Sequence, residues 1–224
     1  MKTKKIYIFT IIYIIALFLY THLLYSDAFG YMNGKYFAEG DSGSALFGLL
    51  FLPVWFSAAF IISQKINSYN FELIRYGSYK KWWDSIEKKC IPLIVSSYLL
   101  FGIMVGMFEK SDISVLMLRV LFLIINTLFI FELQLLIGLL CKQTLLVSLI
   151  TAFMEVVAGK IRMRYEVPYY ISIFTWWEIP AGRGFNKVDI IILSVEILLI
   201  IFGICAMRIR LFNNILRGRE YGDY

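Results

Sequence analysis

The sequence predicts an all-α membrane protein: one domain of six transmembrane helices. Three observations carry this. Of the 224 residues, 60% are hydrophobic and only 17% are charged, against roughly half and a quarter in ordinary globular domains. The charges come in clusters separated by apolar runs that reach the roughly 18–20 residues needed to cross a bilayer. Outside those runs no polar segment exceeds about 30 residues, short of the roughly 50 that a soluble domain requires.

The elements follow in order. A basic start, Met1 to Lys5, leads into an apolar run over 6–25. This run is nearer a full span than the short apolar core of a secretory signal, and no small-x-small cleavage site follows it, so an uncleaved first helix is expected. A Gly-rich acidic stretch forms an outer loop, and the second span covers 43–63 with Pro53 inside, which membrane helices tolerate. The segment 65–89 is the longest on the basic side. The third span is expected over 90–108 and, after the turn Glu109–Asp112, the fourth over 114–140. The fifth covers 144–159, short for a crossing. An aromatic outer loop, 159–187, precedes the last span, 188–207, and a basic tail closes the chain.

Orientation follows from Lys and Arg. With the N-terminus inside, 14 of them fall on the inner side and 7 on the outer. The short outer loops hold only Lys35 and Lys110, and short loops are where the positive-inside rule applies. Both termini are therefore expected in the cytoplasm. The net charge of +6 flanks apolar spans rather than forming a basic face, which excludes a nucleic-acid partner and leaves membrane lipid as the surface these cations meet.

Polar residues inside spans are the candidates for function. Glu132, Glu155 and Glu196 each fall roughly 15–20 Å from the inner end of their helices at about 1.5 Å per residue, near the bilayer midplane. An acid at that depth requires a partner, protein or water. It either lines a path for a cationic substrate or is protonated or hydrogen-bonded within the bundle. In the fourth span Arg119, Asn126, Thr127, Gln134 and Cys141 share about 100° of arc at helical spacing, with Glu132 pointing almost the other way. Such a stripe is a helix–helix seam or the wall of a cavity; Asn126 and Gln134 join the three acids as substrate-path candidates.

Between Pro168 and Pro180 the outer loop carries Trp176 and Trp177 among other aromatics, a length and composition suited to re-entrant or interfacial helices. His22 is the only histidine and has no assigned role. Cys90, Cys141 and Cys205 match no metal or redox spacing and read as small apolar residues. The sequence holds no phosphate-binding Gly-x-x-x-x-Gly-Lys-Ser/Thr, no His-Glu-x-x-His, no Gly-x-Ser-x-Gly and no Cys-x-x-Cys, so no metal, cofactor or catalytic residue is assigned.

The inner segment 65–89 divides at Gly77. Asn70 is placed to cap a short helix over 71–76, Gly77 to stop it, and Ser78 to cap the next. In that second helix, 79–89, Trp82, Ile86 and Cys90 form a row widened by Trp83 and surrounded by lysines, the pattern of a helix lying among headgroups with both tryptophans as interfacial anchors. The first helix carries Phe71, Glu72, Ile74, Arg75 and Tyr76, and aromatics with Arg anchor protein interfaces; the alternative is a solvated connector.

The run Phe-Glu-Leu-Ile-Arg-Tyr-Gly-Ser-Tyr-Lys-Lys-Trp-Trp, residues 71–83, resembles the first cytoplasmic loop of permease subunits of type-2 ABC exporters, most nearly those serving bacteriocin and lantibiotic immunity or peptide export in low-GC Gram-positive bacteria. The resemblance extends over the whole chain, from six spans to the basic tail. It implies a coupling helix at Phe71–Tyr76 with the turn Arg75-Tyr76-Gly77-Ser78, docked on a separate ATPase that carries the ATP and Mg. It implies as well a second permease subunit, alike or different, a peptide or amphiphile cargo, and a place in the bacterial cytoplasmic membrane. Two other readings remain: a stand-alone immunity or receptor-like protein that binds a bacteriocin without ATP, and an intramembrane enzyme built on Glu132 and Glu155.

Overall fold

The computed structural model describes residues 2–25, 28, 54, 56–62, 64–65, 76, 78–109, 112–141, 144–165, 168, 187–200 and 209. Its described elements are five helices: α1 Lys2–Tyr25, α2 Tyr79–Phe108, α3 Ile113–Cys141, α4 Thr144–Tyr165 and α5 Lys187–Leu198. Three stretches within them, Lys4–Leu23, Lys80–Phe108 and Ile113–Ile137, are long and apolar enough to cross a membrane. At about 1.5 Å per residue each measures about 30 Å or more, the thickness of the hydrocarbon core.

The outer surface agrees with that medium. Ile8, Phe9, Ile12, Leu23, Met107, Met117 and Phe153 are exposed, an apolar covering that water would penalise and lipid tails would not. Inside, Phe18, Trp82, Trp83, Phe101, Phe122 and Phe131 belong to one buried cluster.

α3 is the hub, packed against α2, α4 and α5, while α1 packs on α2. The approach of α2 to α3 depends on glycine. A Cβ on Gly102 would lie 2.5 Å from a Val120 methyl, and one on Gly106 would lie 3.1 Å from a Leu116 methyl. Gly102-x-x-x-Gly106 thus clears a groove that lets two membrane helices close. As the position rises along α2 it falls along α3, so the pair is antiparallel.

α1 and α2, by contrast, run parallel. Near the start of α1, the Tyr7 hydroxyl donates to the Lys89 carbonyl in α2. Near its end, His22 Nδ1 lies 3.4 Å from Glu109 Oε1, just past the end of α2. Between these clamps Thr10 Oγ1 and Ser57 Oγ share a 2.8 Å hydrogen bond. Residues Ala58, Ala59, Ile61 and Ile62 are buried beside it.

Two boundaries differ from the sequence expectation. The segment 79–89 is not a separate helix: α2 is continuous over 30 residues, with Pro92 inside it. Proline withdraws the N–H that Lys88 would receive, and in the same turn the Lys89 carbonyl gains an outside donor from Tyr7. The row Trp82, Ile86 and Cys90 is present, but all three are buried, as is Trp83, so these rings pack on the protein itself. α4 runs on to Tyr165, past the expected end at 159, because Lys and Arg, the residue types at 160, 162 and 164, are good helix formers.

The N-cap expected at Ser78 is present: its hydroxyl accepts from the Lys81 N–H at 3.3 Å. Phe71, Glu72, Ile74, Arg75 and Gly77 lie outside the described residues, as do Trp176 and Trp177, most of the expected second span and the basic tail.

Candidate functional site

The polar stripe of α3 is buried along its length. Arg119, Asn126, Thr127 and Gln134 each expose 2% or less of their surface, and Glu132 on the opposite side exposes only 6%. α3 packs against three helices, which cover these positions while Met117, Leu118 and Leu121 stay exposed.

The stripe divides between two partners. Thr127 Oγ1 donates to the Tyr98 hydroxyl of α2 at 2.9 Å. One position earlier, Asn126 Nδ2 donates to Glu196 Oε1 of α5 at 2.6 Å. Adjacent residues on a helix point about 100° apart, so neighbouring positions on α3 reach two different helices. Of the five path candidates named from sequence, the structure joins Asn126 and Glu196. Glu132 lies on the other side of α3 and is buried there. Glu155 lies in α4, with its side chain outside the described set.

The Asn126–Glu196 pair is incompletely satisfied. Asn126 Oδ1 and Glu196 Oε2 are buried with no hydrogen-bond partner among the described residues, and so are both amide atoms of Gln134, two turns further along α3. Buried polar atoms are nearly always bonded, so these orphaned atoms set the pair and Gln134 apart. Hydroxyls elsewhere in the helices are satisfied locally. Thr21 bonds back to the Leu17 and Phe18 carbonyls at 3.0 Å, Ser97 to Leu93 at 2.7 Å and Thr151 to Val147 at 2.7 Å. The orphaned atoms of Asn126, Gln134 and Glu196 contrast with these locally satisfied hydroxyls.

Two buried charges flank the pair. Arg119, seven residues before Asn126, holds its guanidinium over the Phe122 ring at 5.9 Å. Asp189, seven residues before Glu196, is buried in the first turn of α5. Seven residues are nearly two turns, so each lies on the same face as the residue it precedes, about 10 Å along the axis.

A second polar cluster, with no signal in the sequence, closes the other end of α1. Glu109 Oε1 accepts from the Ala28 N–H at 2.5 Å and faces His22, whose ring stacks on Phe18 at 5.4 Å. Its members are separated by more than 80 positions in the chain, so only the tertiary fold brings them together. Among the described residues no three His, Cys, Asp or Glu side chains converge as a metal site would require.

Compared with models of protein families, with curated proteins and with solved structures, the chain matches none.

Proposed function

We propose that this chain is the membrane subunit of an ATP-driven exporter of the type-2 ABC class, moving peptides or amphiphiles, with ATP hydrolysis on a separate subunit. The observation that carries the reading is the run of residues 71–83 at the base of α2. A short aromatic and Arg-bearing segment precedes a capped helix start at Ser78, and α2 then continues unbroken toward the centre of the bundle. A force applied at Phe71–Tyr76 would be carried along a rigid helix into its close contact with α3.

The six-span arrangement belongs to the same proposal. Two parallel neighbours in a bilayer require an odd number of crossings between them, and the parallel course of α1 and α2 supports one returning span over 43–63. The helical reach of α4 and the apolar character of α5 support counting two more, and with six spans both termini would lie in the cytoplasm. Two such subunits would then face each other across a path to which Glu132, Glu155, Glu196, Asn126 and Gln134 contribute.

The test is co-purification. The tagged chain, extracted from its native host in mild detergent, is expected to bring down a soluble ATPase in stoichiometric amount. Phe71→Ala with Arg75→Ala should abolish that association while leaving the helical content unchanged. Recovery of the chain alone, or of the same ATPase with the double variant, would overturn the coupling reading and favour a stand-alone binding protein.

A further inference from the structure

We infer that Glu196 is a proton-binding site, holding a proton on Oε2 and pairing as a neutral acid with the Asn126 amide. The argument is a count of donors and acceptors. Asn126 contributes one carbonyl oxygen and an amide nitrogen with two N–H groups; an ionised Glu196 contributes only acceptors. One of the N–H groups is placed on Glu196 Oε1 at 2.6 Å. That leaves one N–H of Nδ2 and two oxygens, Asn126 Oδ1 and Glu196 Oε2, both buried and neither with a donor among the described residues; the remaining N–H points away from Oδ1 on its own planar group and does not serve it. Two orphaned acceptors in one pair are resolved by a single added donor, and a proton on Oε2 is the smallest one. It lets the acid donate to Oδ1 while Oε1 keeps its bond from Nδ2, giving two hydrogen bonds between two planar groups.

The alternative is an ionised carboxylate, fully buried beside Ile192, with one neutral hydrogen bond to oppose its loss of hydration. A buried charge without a countercharge is costly enough that such a group takes up a proton instead. The charged and titratable groups on the two packed helices do not supply the countercharge at the pair. On α3, Arg119 lies about 10 Å back along the axis at 1.5 Å per residue, over Phe122, and Glu132 faces the other way. On α5, Asp189 lies a similar distance back and is itself an acid. Through Thr127, α2 presents the neutral Tyr98 hydroxyl.

The site has a mechanical consequence. Loss of the proton to water leaves a carboxylate oxygen and an amide oxygen turned toward each other, two acceptors with nothing between them. One bond of the α3–α5 seam is lost and the remaining contact is partly repulsive. Gln134, buried with both amide atoms unpartnered, extends the polar line from Asn126 along α3. Proton occupancy thus sets how firmly α5 is held to the hub. The inference does not depend on an ATPase, and a chain that binds none would still carry this site.

Infrared spectroscopy of the purified full-length protein in lipid nanodiscs, with carboxyl-labelled glutamate, tests it. At neutral pH the labelled wild type is expected to show a carboxylic-acid C=O band. That band should vanish in Glu196→Gln and move to higher frequency in Asn126→Leu, where the carbonyl loses its donor. Glu196→Gln should fold as well as wild type, because glutamine donates to Oδ1 and accepts from Nδ2 as the neutral acid does. Its melting temperature should also stay flat as pH rises, while that of the wild type falls. The absence of any glutamic-acid band in the wild type, a band unchanged in Glu196→Gln, or failure of that variant to fold would each overturn the assignment.

Discussion

At the scale of single residues, the described structure shows how short polar side chains settle backbone ends and seams. Asp112 stands at the start of α3, where its carboxylate accepts from the Ser114 hydroxyl at 2.7 Å and the Ser114 N–H at 2.8 Å. The Ser114 hydroxyl and then its backbone N–H hold the Asp112 pKa below the ordinary carboxylate value. A depressed acid stabilises the fold above its unfolded pKa, about 3.9, and loses that contribution as pH falls through the folded value. Asp112→Ala should therefore melt below wild type at neutral pH, with the gap closing as pH drops beneath about 4; a gap independent of pH would deny the carboxylate this role. The side chain is fully exposed, so the effect will be small and screened by salt. Cap residues of this kind are readable from sequence because both partners are within a few positions, and Ser78 was legible for the same reason. Asn126 was legible as part of a stripe, but its partner Glu196 was not, since equal depth on two helices does not say which helices touch.

At the scale of helices, the governing feature is the close approach of α2 and α3. Gly102 faces Val120, whose branched side chain is buried and has no room to turn aside. Gly102→Ala should destabilise the protein by about 1–3 kcal/mol, the usual range for forcing a methyl into a filled interior. Val120→Ala should recover much of that loss in the double variant, which thermal unfolding in detergent can measure as a coupling between the two positions. Simple addition of the two effects would mean that the helices do not meet there. The extents of the apolar runs over α1 and α3 follow from composition alone. Those of α2 and α4 do not. Pro92 and the lysines before it read as an interruption, and Gly159 with its basic neighbours reads as an exit, because sequence reasoning weighs each residue's local preference. Packing decided otherwise, giving the Lys89 carbonyl a donor from Tyr7 and burying Trp82 and Trp83.

At the scale of the molecule, α3 organises the rest. It touches three helices, and its polar residues divide among them, Thr127 to α2 and Asn126 to α5. α1 pairs in parallel with α2. Cysteines introduced at His22 and Glu109 should cross-link in membranes, whereas cysteines at His22 and Lys89 should not; the reverse pattern would require α1 and α2 to run antiparallel. This pairing lies beyond sequence reasoning because it depends on contacts across more than 80 positions, while turns and caps depend on three or four.

The long reach of those clamps has a consequence in time. Tyr7 and Lys89 are 82 positions apart, and His22 and Glu109 are 87 apart. Ribosomes extend a chain at about 5–20 residues per second, so α1 is complete for roughly 4–17 s before α2 offers its partners. For that interval Tyr7 and His22 lack these tertiary partners, while the Thr10 hydroxyl has the Ile6 carbonyl of its own helix at 2.9 Å and meets Ser57, 47 positions downstream, only later. The clamps that fix α1 against α2 therefore form only after the chain has been extended by more than 80 further residues.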